Sequence, residues 1–228
     1  MDKITIPKII HQIWIGPSNP PTEYLNTWKN NYIKNNPEYK YYYWKNNNIK
    51  QVLQRFPKLK MLYDIEKTWY GKADILRYMI LYIYGGIYID ADCVWINNKS
   101  LDPLIDESKV THFFAGLIPN KTYIVNGVIG CSKNNINILY VLNKLRQYTI
   151  KEYIKIRKTT AAHIITGPQL LNQIRYNIPN NKITVFPDYY FYPISWFNIK
   201  DKKYHENNNI NKNSYMFHYG ISTNNLSF

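Results

Sequence analysis

The run from Ala73 to Asp92, ADILRYMILYIYGGIYIDAD, joins an apolar helix pattern to an apolar strand pattern through a pair of glycines. From about Lys72 to Tyr84, apolar residues fall on nearly every side of a helical wheel, as in a helix buried all round. Gly85 and Gly86 end it, because glycine accepts the left-handed geometry of a helix C-cap. The strand pattern that follows, Ile87 to Val94, is equally apolar until it meets two carboxylates. A helix and a strand that both lack a wettable face need covering on two sides, which a layered α/β arrangement supplies.

The remaining segments repeat this alternation. PKIIHQIWIG reads as a buried first strand ending at Gly16. Thr22 to Asn35 reads as a helix, with Tyr24, Leu25, Trp28, Tyr32 and Ile33 at helical spacing. YKYYYW reads as a strand and Asn47 to Phe56 as a helix. Further strands are expected near His112 to Leu117, Val125 to Cys131, Ile183 to Phe186 and Ser214 to His218. Helices are expected near Asn135 to Tyr148 and Gly167 to Asn177. Strands alternating with helices predict a mainly parallel, Rossmann-like sheet flanked by helices. The 228 residues suit one domain spanning 1–228.

Asp90 and Asp92 sit at the carboxyl end of their strand, where ligands bind in open α/β sheets. On an extended chain Tyr88, Asp90 and Asp92 face one way, and Ile87, Ile89 and Ala91 the other. The two carboxylates would lie about 7 Å apart, from the ~3.3 Å rise per residue. Ionised together they repel, and a divalent cation such as Mn²⁺ or Mg²⁺ resolves the repulsion, commonly with phosphate oxygens as further ligands. Other arrangements give the same local pattern: two solvated acids at a strand end, or the aspartyl nucleophile of a metal-dependent phosphatase. A phosphatase of that kind needs a later acidic pair, and beyond Asp106 only isolated acids occur. Asp74 and Arg77, three apart on the preceding helix, share a face. They form either an ion pair or part of the same pocket.

The net charge is +14, but the lysines are scattered and no basic run appears. That disfavours nucleic acid and is compatible with an anionic ligand such as a nucleotide diphosphate. An AT-rich coding sequence would account for much of the charge and for the abundance of Asn, Ile and Tyr. The two cysteines, Cys93 and Cys131, lie in apolar strand patterns and are expected to be buried thiols. No signal peptide or transmembrane segment is recognised, so the expectation is a soluble, cytoplasmic protein.

The block from Ala73 to Asp92 resembles the sugar-transferase family defined by its Asp-x-Asp motif, which includes yeast Golgi α-mannosyltransferases and, more distantly, the clostridial glucosylating toxins. The family pattern is Ala/Ser-Asp-x-x-Arg, a helix, Gly-Gly-x-Tyr, then Asp-x-Asp. IPKIIHQIWIG is similar to the family's opening strand, NGVIGCSKNN to the strand after the motif, and TGPQLL to a Thr-Gly-Pro helix start. FYP at Phe191 to Pro193 and HYGIS at His218 to Ser222 fall where the family closes.

The resemblance implies a GT-A fold and a retaining, metal-dependent transfer from a nucleotide-diphosphate sugar, with a UDP-sugar favoured, to an acceptor hydroxyl of a glycan, protein or lipid. It implies that Asp90 contacts ribose and sugar and assists the metal, and that Asp92 ligates the Mn²⁺ or Mg²⁺. Asp74 and Arg77 would hold the sugar hydroxyls, and with Asp90 they make the expected catalytic set. Trp14 would stack on the base, while Tyr88 and Asn126 line the sugar pocket. His218 or Ser222 would complete the metal site, and His11 is expected in the core. Residues 1–100 would form mainly the nucleotide and metal half, and 101–228 mainly the acceptor half. Thr223 stands where the family has tryptophan, which leaves open a second reading: a weakly active or inactive sugar-nucleotide-binding protein on the same fold.

Overall fold

The structure, a computed structural model, describes residues 4–118, 122–179, 182–194 and 211–220. In chain order the strands are β1 (Ile9–Ile13), β2 (Lys40–Trp44), β3 (Gly86–Ile89), β4 (Cys93–Trp95), β5 (Phe113–Leu117), β6 (Ile124–Cys131), β7 (Thr184–Phe186) and β8 (Met216–His218). The helices before β3 are α1 (Thr22–Asn26), α2 (Ile33–Asn35), α3 (Lys50–Gln54), α4 (Pro57–Ile65) and α5 (Trp69–Tyr84). After it come α6 (Asp102–Glu107), α7 (Ile136–Arg146), α8 (Ile150–Ile156), α9 (Ala162–Ile165), α10 (Pro168–Asn172), α11 (Ile174–Asn177) and α12 (Asp188–Phe191).

Six strands form one sheet in the order β2-β1-β3-β6-β5-β7. β2, β1, β3, β5 and β7 run the same way, and β6 alone is reversed, antiparallel to both β3 and β5. The expected mainly parallel α/β sheet is therefore present, with one reversed strand that the apolar pattern did not reveal. β4 and β8 pair antiparallel as a separate two-stranded ribbon.

Both faces of the central sheet are buried. Tyr88 packs into an apolar layer with residues of α3, α4, α5, α7 and α10. Ile87 and Ile89 enter the opposite layer with Trp28, Tyr32, Phe114 and Phe191. α5 is the spine of the first layer, and its residues Ile75 to Leu81 are all buried. Thr68 caps it by accepting the Gly71 amide at 3.2 Å. At the turn out of α5, Gly86 has φ +96°, and a Cβ there would meet the Ile9 carbonyl at 2.6 Å. Only glycine lets β3 start beside β1. The first predicted helix is continuous but locally underwound: α1 passes through a π-helical turn, Thr27–Tyr32, into α2. That turn leaves both Trp28 and Tyr32 fully buried.

Several expectations need correction. The strand carrying the aspartates stops at Ile89. Asp90 donates its amide to Gly127 O at 2.8 Å, and the Cys93 amide closes a turn onto Asp90 O at 3.0 Å. Asp90 and Asp92 are therefore on a turn, not spaced along one extended strand, and β4 is a new strand beyond it. α4 is an additional helix, with Pro57 in its first turn. The segment 167–177 forms two short helices, α10 and α11. Cys93 and Cys131 are buried free thiols, and His11 is a core residue bonded to Gly85 O at 2.9 Å, as anticipated. Among the described residues no helix is long and apolar enough to cross a membrane.

Candidate active site

A cavity of about 760 Å³ opens at the carboxyl ends of β1 and β3. Because β6 is reversed, its first residues reach the same edge, so Val125, Asn126 and Gly127 join Trp14, Tyr88, Asp90 and Asp92 in the lining. The buried flank of α5 adds Asp74 and Arg77.

Arg77 is the hub. Its Nη2 meets Asp74 Oδ1 at 3.0 Å and its Nη1 meets Asp90 Oδ1 at 3.1 Å. Nη1 also donates to Asn126 O at 2.5 Å, and the guanidinium lies 4.4 Å from the Tyr88 ring centre. Burial opposes charge on this group, but the Asp90 and Asp74 carboxylates outweigh it and hold Arg77 protonated. Asp74 accepts the Asn126 side-chain amide at 2.7 Å and the Thr166 hydroxyl at 3.0 Å. Burial pushes its carboxyl up to about 6, with Arg77 and Asn126 holding it back. Tyr88 donates to Asp90 Oδ1 at 2.7 Å. The ion pair and the pocket are thus one object: Asp74, Arg77, Asn126 and Asp90 form a continuous hydrogen-bonded polar floor.

Beside that floor the two motif aspartates converge. His218 Nε2 lies 3.0 Å from Asp92 Oδ1 and 3.4 Å from Asp90 Oδ2. The β4–β8 ribbon makes this possible by pairing Cys93 with His218. Burial disfavours the imidazolium, yet Asp92 and Asp90 outweigh it and raise His218 to about 10. The two carboxylates suit Mn²⁺ or Mg²⁺, and the imidazole nitrogen, which can ligate only once its proton is displaced, tilts the set away from the oxygen-demanding Mg²⁺. The Cys93 sulfur lies within 4.8 Å of the Asp92 and His218 donor atoms. Burial lifts that thiol well above its ordinary range, and it packs in the apolar core, so it remains a thiol.

The Trp14 indole is half-buried at the cavity wall, with its N–H on Ser18 O at 2.9 Å. Ser222 and Thr223 lie outside the described residues. The structure also brings in residues that the sequence reading did not single out: Thr166, Tyr78, Trp69, Tyr70, His163 and Tyr192. Tyr78 bonds Asn126 at 3.2 Å, and the others line the cavity or touch Asp74. Thr166 carried a signal, since it opens the TGPQLL segment read only as a helix start. Trp69 and Tyr70 carried none, preceding the predicted start of α5.

The family described as "Glycosyltransferase sugar-binding region containing DXD motif" matches residues 22–111. Among curated proteins, the uncharacterized glycosyltransferase L373 of Acanthamoeba polyphaga mimivirus is 32% identical over 87% of this chain and 78% of its own length. Inositol phosphoceramide mannosyltransferase 3 of Schizosaccharomyces pombe is 30% identical over 74% of this chain, and the mannosyl phosphorylinositol ceramide synthase SUR1 of Saccharomyces cerevisiae 29% over 85%. The chain spans only 44% and 50% of the length of these two. Among solved structures, the PaToxG glycosyltransferase superposes with a TM-score of 0.56 at 21% identity, covering 77% of this chain and 71% of its own. The UDP-bound glycosyltransferase domain of the YGT toxin gives 0.54 at 11% identity, covering 81% and 80%. With its motif aspartates at the cavity edge of the matching sheet, the chain has a GT-A fold and belongs to the glycosyltransferases whose sugar-binding region contains a DXD motif.

Proposed function

We propose that the protein is a metal-dependent, retaining glycosyltransferase that moves a sugar from a nucleotide-diphosphate sugar to an acceptor hydroxyl. The observation that carries this reading is the convergence of Asp90, Asp92 and His218 beside the Asp74–Arg77–Asn126 floor of one cavity. Asp92, Asp90 and His218 would hold Mn²⁺ or Mg²⁺, and Ser222 remains a further candidate. When bound, the cation would act as a Lewis acid on the departing diphosphate.

The chain's own residues do the rest. Trp14 offers a flat face for the base. Asp74 and Arg77 accept and donate to sugar hydroxyls, and Asp90 bridges sugar and ribose. Arg77, pinned between two carboxylates, is a preorganised positive charge close to where negative charge develops as the sugar–phosphate bond breaks. Tyr88 and Asn126 fix its orientation. Residues 1–100 would serve mainly nucleotide and metal, and 101–228 mainly the acceptor, while also lending Asn126, Thr166 and His218 to the donor side.

A UDP-sugar is the favoured donor, supported by the UDP-bound structural neighbour. The mannosyltransferase relatives make a mannosyl nucleotide the competitor and a phosphoinositol-bearing lipid one candidate acceptor. The test is thermal unfolding and donor hydrolysis with Mn²⁺ across UDP-glucose, UDP-galactose, UDP-N-acetylglucosamine and GDP-mannose. A donor present at 100 times its Kd stabilises the fold by about 2.7 kcal/mol. No shift and no Mn²⁺-dependent release of nucleotide from any of the four would sink the proposal.

A further inference from the structure

The Thr-Gly-Pro segment does more than start a helix. Thr166 is fully buried, and its Oγ1 lies 3.0 Å from Asp74 Oδ2 and 3.0 Å from Ala162 O. A hydroxyl has one proton, so it serves one of these acceptors at a time, and a carboxylate is the stronger. Gly167 follows. A Cβ there would sit 3.1 Å from Asp74 Oδ2 and 2.7 Å from the His163 backbone, so any side chain would crowd the carboxylate. The Gly167 carbonyl faces the Tyr78 hydroxyl at 3.4 Å, and Pro168 continues into the cavity wall. Asp74 Oδ1 is already taken by Arg77 and Asn126. The plane of the carboxylate, and hence the direction of its remaining lone pair, is therefore set jointly by these two donors on Oδ1 and by what holds Oδ2.

We propose that Thr166 and Gly167 form a cradle that orients the Asp74 carboxylate toward the donor sugar, making Thr166 a positioning residue for transfer. The inference rests on the glycosyltransferase reading above. It ties the far half of the chain to the sugar pocket through one hydroxyl and one missing side chain. Because Asp74 faces the sugar hydroxyls and not the base, loss of the cradle should affect turnover of a sugar nucleotide and spare binding of the free nucleotide.

The experiment compares wild type with Thr166→Val, which keeps the shape and deletes the donor, and Thr166→Ser, which keeps the donor. Each is assayed with Mn²⁺ on whichever of UDP-glucose, UDP-galactose, UDP-N-acetylglucosamine and GDP-mannose the wild type turns over, and titrated calorimetrically with the matching free nucleotide. The expected result is at least a tenfold loss of kcat/KM in Thr166→Val, recovery to within threefold in Thr166→Ser, and nucleotide affinity within twofold throughout. Should Thr166→Val not fold, Thr166→Ser against Thr166→Ala isolates the same hydroxyl, and Ser should exceed Ala tenfold. Equal activity of donor-keeping and donor-lacking variants overturns the proposal, as does a parallel loss of turnover and nucleotide affinity. Those outcomes leave the glycosyltransferase reading intact. A wild type inactive on all four donors removes both.

Discussion

Replacing Glu66 with glutamine should destabilise the protein in a way that depends on pH. Glu66 lies between α4 and α5 with its side chain fully buried. It accepts from Arg157 Nε at 2.7 Å and Nη2 at 2.9 Å, from Tyr153 OH at 2.6 Å, and from the Thr68 amide at 2.9 Å and hydroxyl at 2.6 Å. Burial by itself would raise its pKa. The bonds from Arg157, Thr68 and Tyr153 outweigh burial and bring it from the ordinary 4.5 down to about 2. A depression of that size corresponds to about 3 kcal/mol of stability. Because the folded pKa is the lower one, this contribution is complete above the unfolded value. It is lost as the pH falls through the window between 4.5 and about 2.

Glu66→Gln removes the charge and leaves the Arg157 guanidinium, itself only 10% exposed, without its anion. At pH 7 the cost should be about 3 kcal/mol, or about 6–12 °C in Tm for a chain of this length. Urea unfolding followed by tryptophan fluorescence at pH 7, 4.5, 3 and 2.5 measures the gap between the two proteins. The gap should narrow steadily below pH 4.5, because the wild type then protonates and comes to resemble the variant. Acid sensitivity from other groups is common to both and cancels. A gap that stays constant across the series would refute the reasoning, since it would mean that the carboxylate's charge contributes nothing.

Further expectations concern the cavity. Asp92→Asn should abolish Mn²⁺-dependent turnover while circular dichroism and cooperative unfolding stay native. Wild-type turnover in Mn²⁺ would end the assignment of Asp92. Trp14→Ala should weaken binding of free UDP or GDP by the ~1–3 kcal/mol typical of base stacking on an aromatic ring; a folded variant with normal affinity would return Trp14 to a packing role. Arg77→Lys should lower donor turnover at least tenfold, about 1.4 kcal/mol, because an ammonium cannot bridge Asp74 and Asp90 as the guanidinium fork does. Unchanged turnover would exclude Arg77 from the chemistry.

The sheet's central elements were legible because their patterns are extreme. α5 is buried on almost every side, and β3 is buried at all four positions. The direction of β6 was not legible. IVNGVIGC is buried throughout and would read the same in either orientation, so only the connection from β5 decides it. The Asp-x-Asp turn reads as strand in the sequence because the bond that closes it, from the Cys93 amide to Asp90 O, joins backbone groups and leaves no mark on an apolar, β-prone run. His218 was placed beside the aspartates through the family likeness alone, since nothing local marks a three-residue strand such as β8 as the partner of β4. The Glu66 cluster joins residues of α4's end and α8 that stand far apart in sequence, and isolated Glu, Tyr and Arg residues carry no mark of it.

The β4–β8 ribbon also bears on the order in which the molecule assembles. Joining Cys93 to His218 closes a very long loop, and contacts of high sequence separation form late. Asp90 meets Arg77 through α5 and β3 without that closure, whereas Asp92 meets the His218 imidazole only after it. If His218 helps to hold a divalent ion, as proposed, burial of the α5 layer should precede full capacity to bind Mn²⁺ in a refolding time course. Chain regions that fold early and the proposed metal site would then be separable in time, with the imidazole of His218 as the last of its groups to arrive.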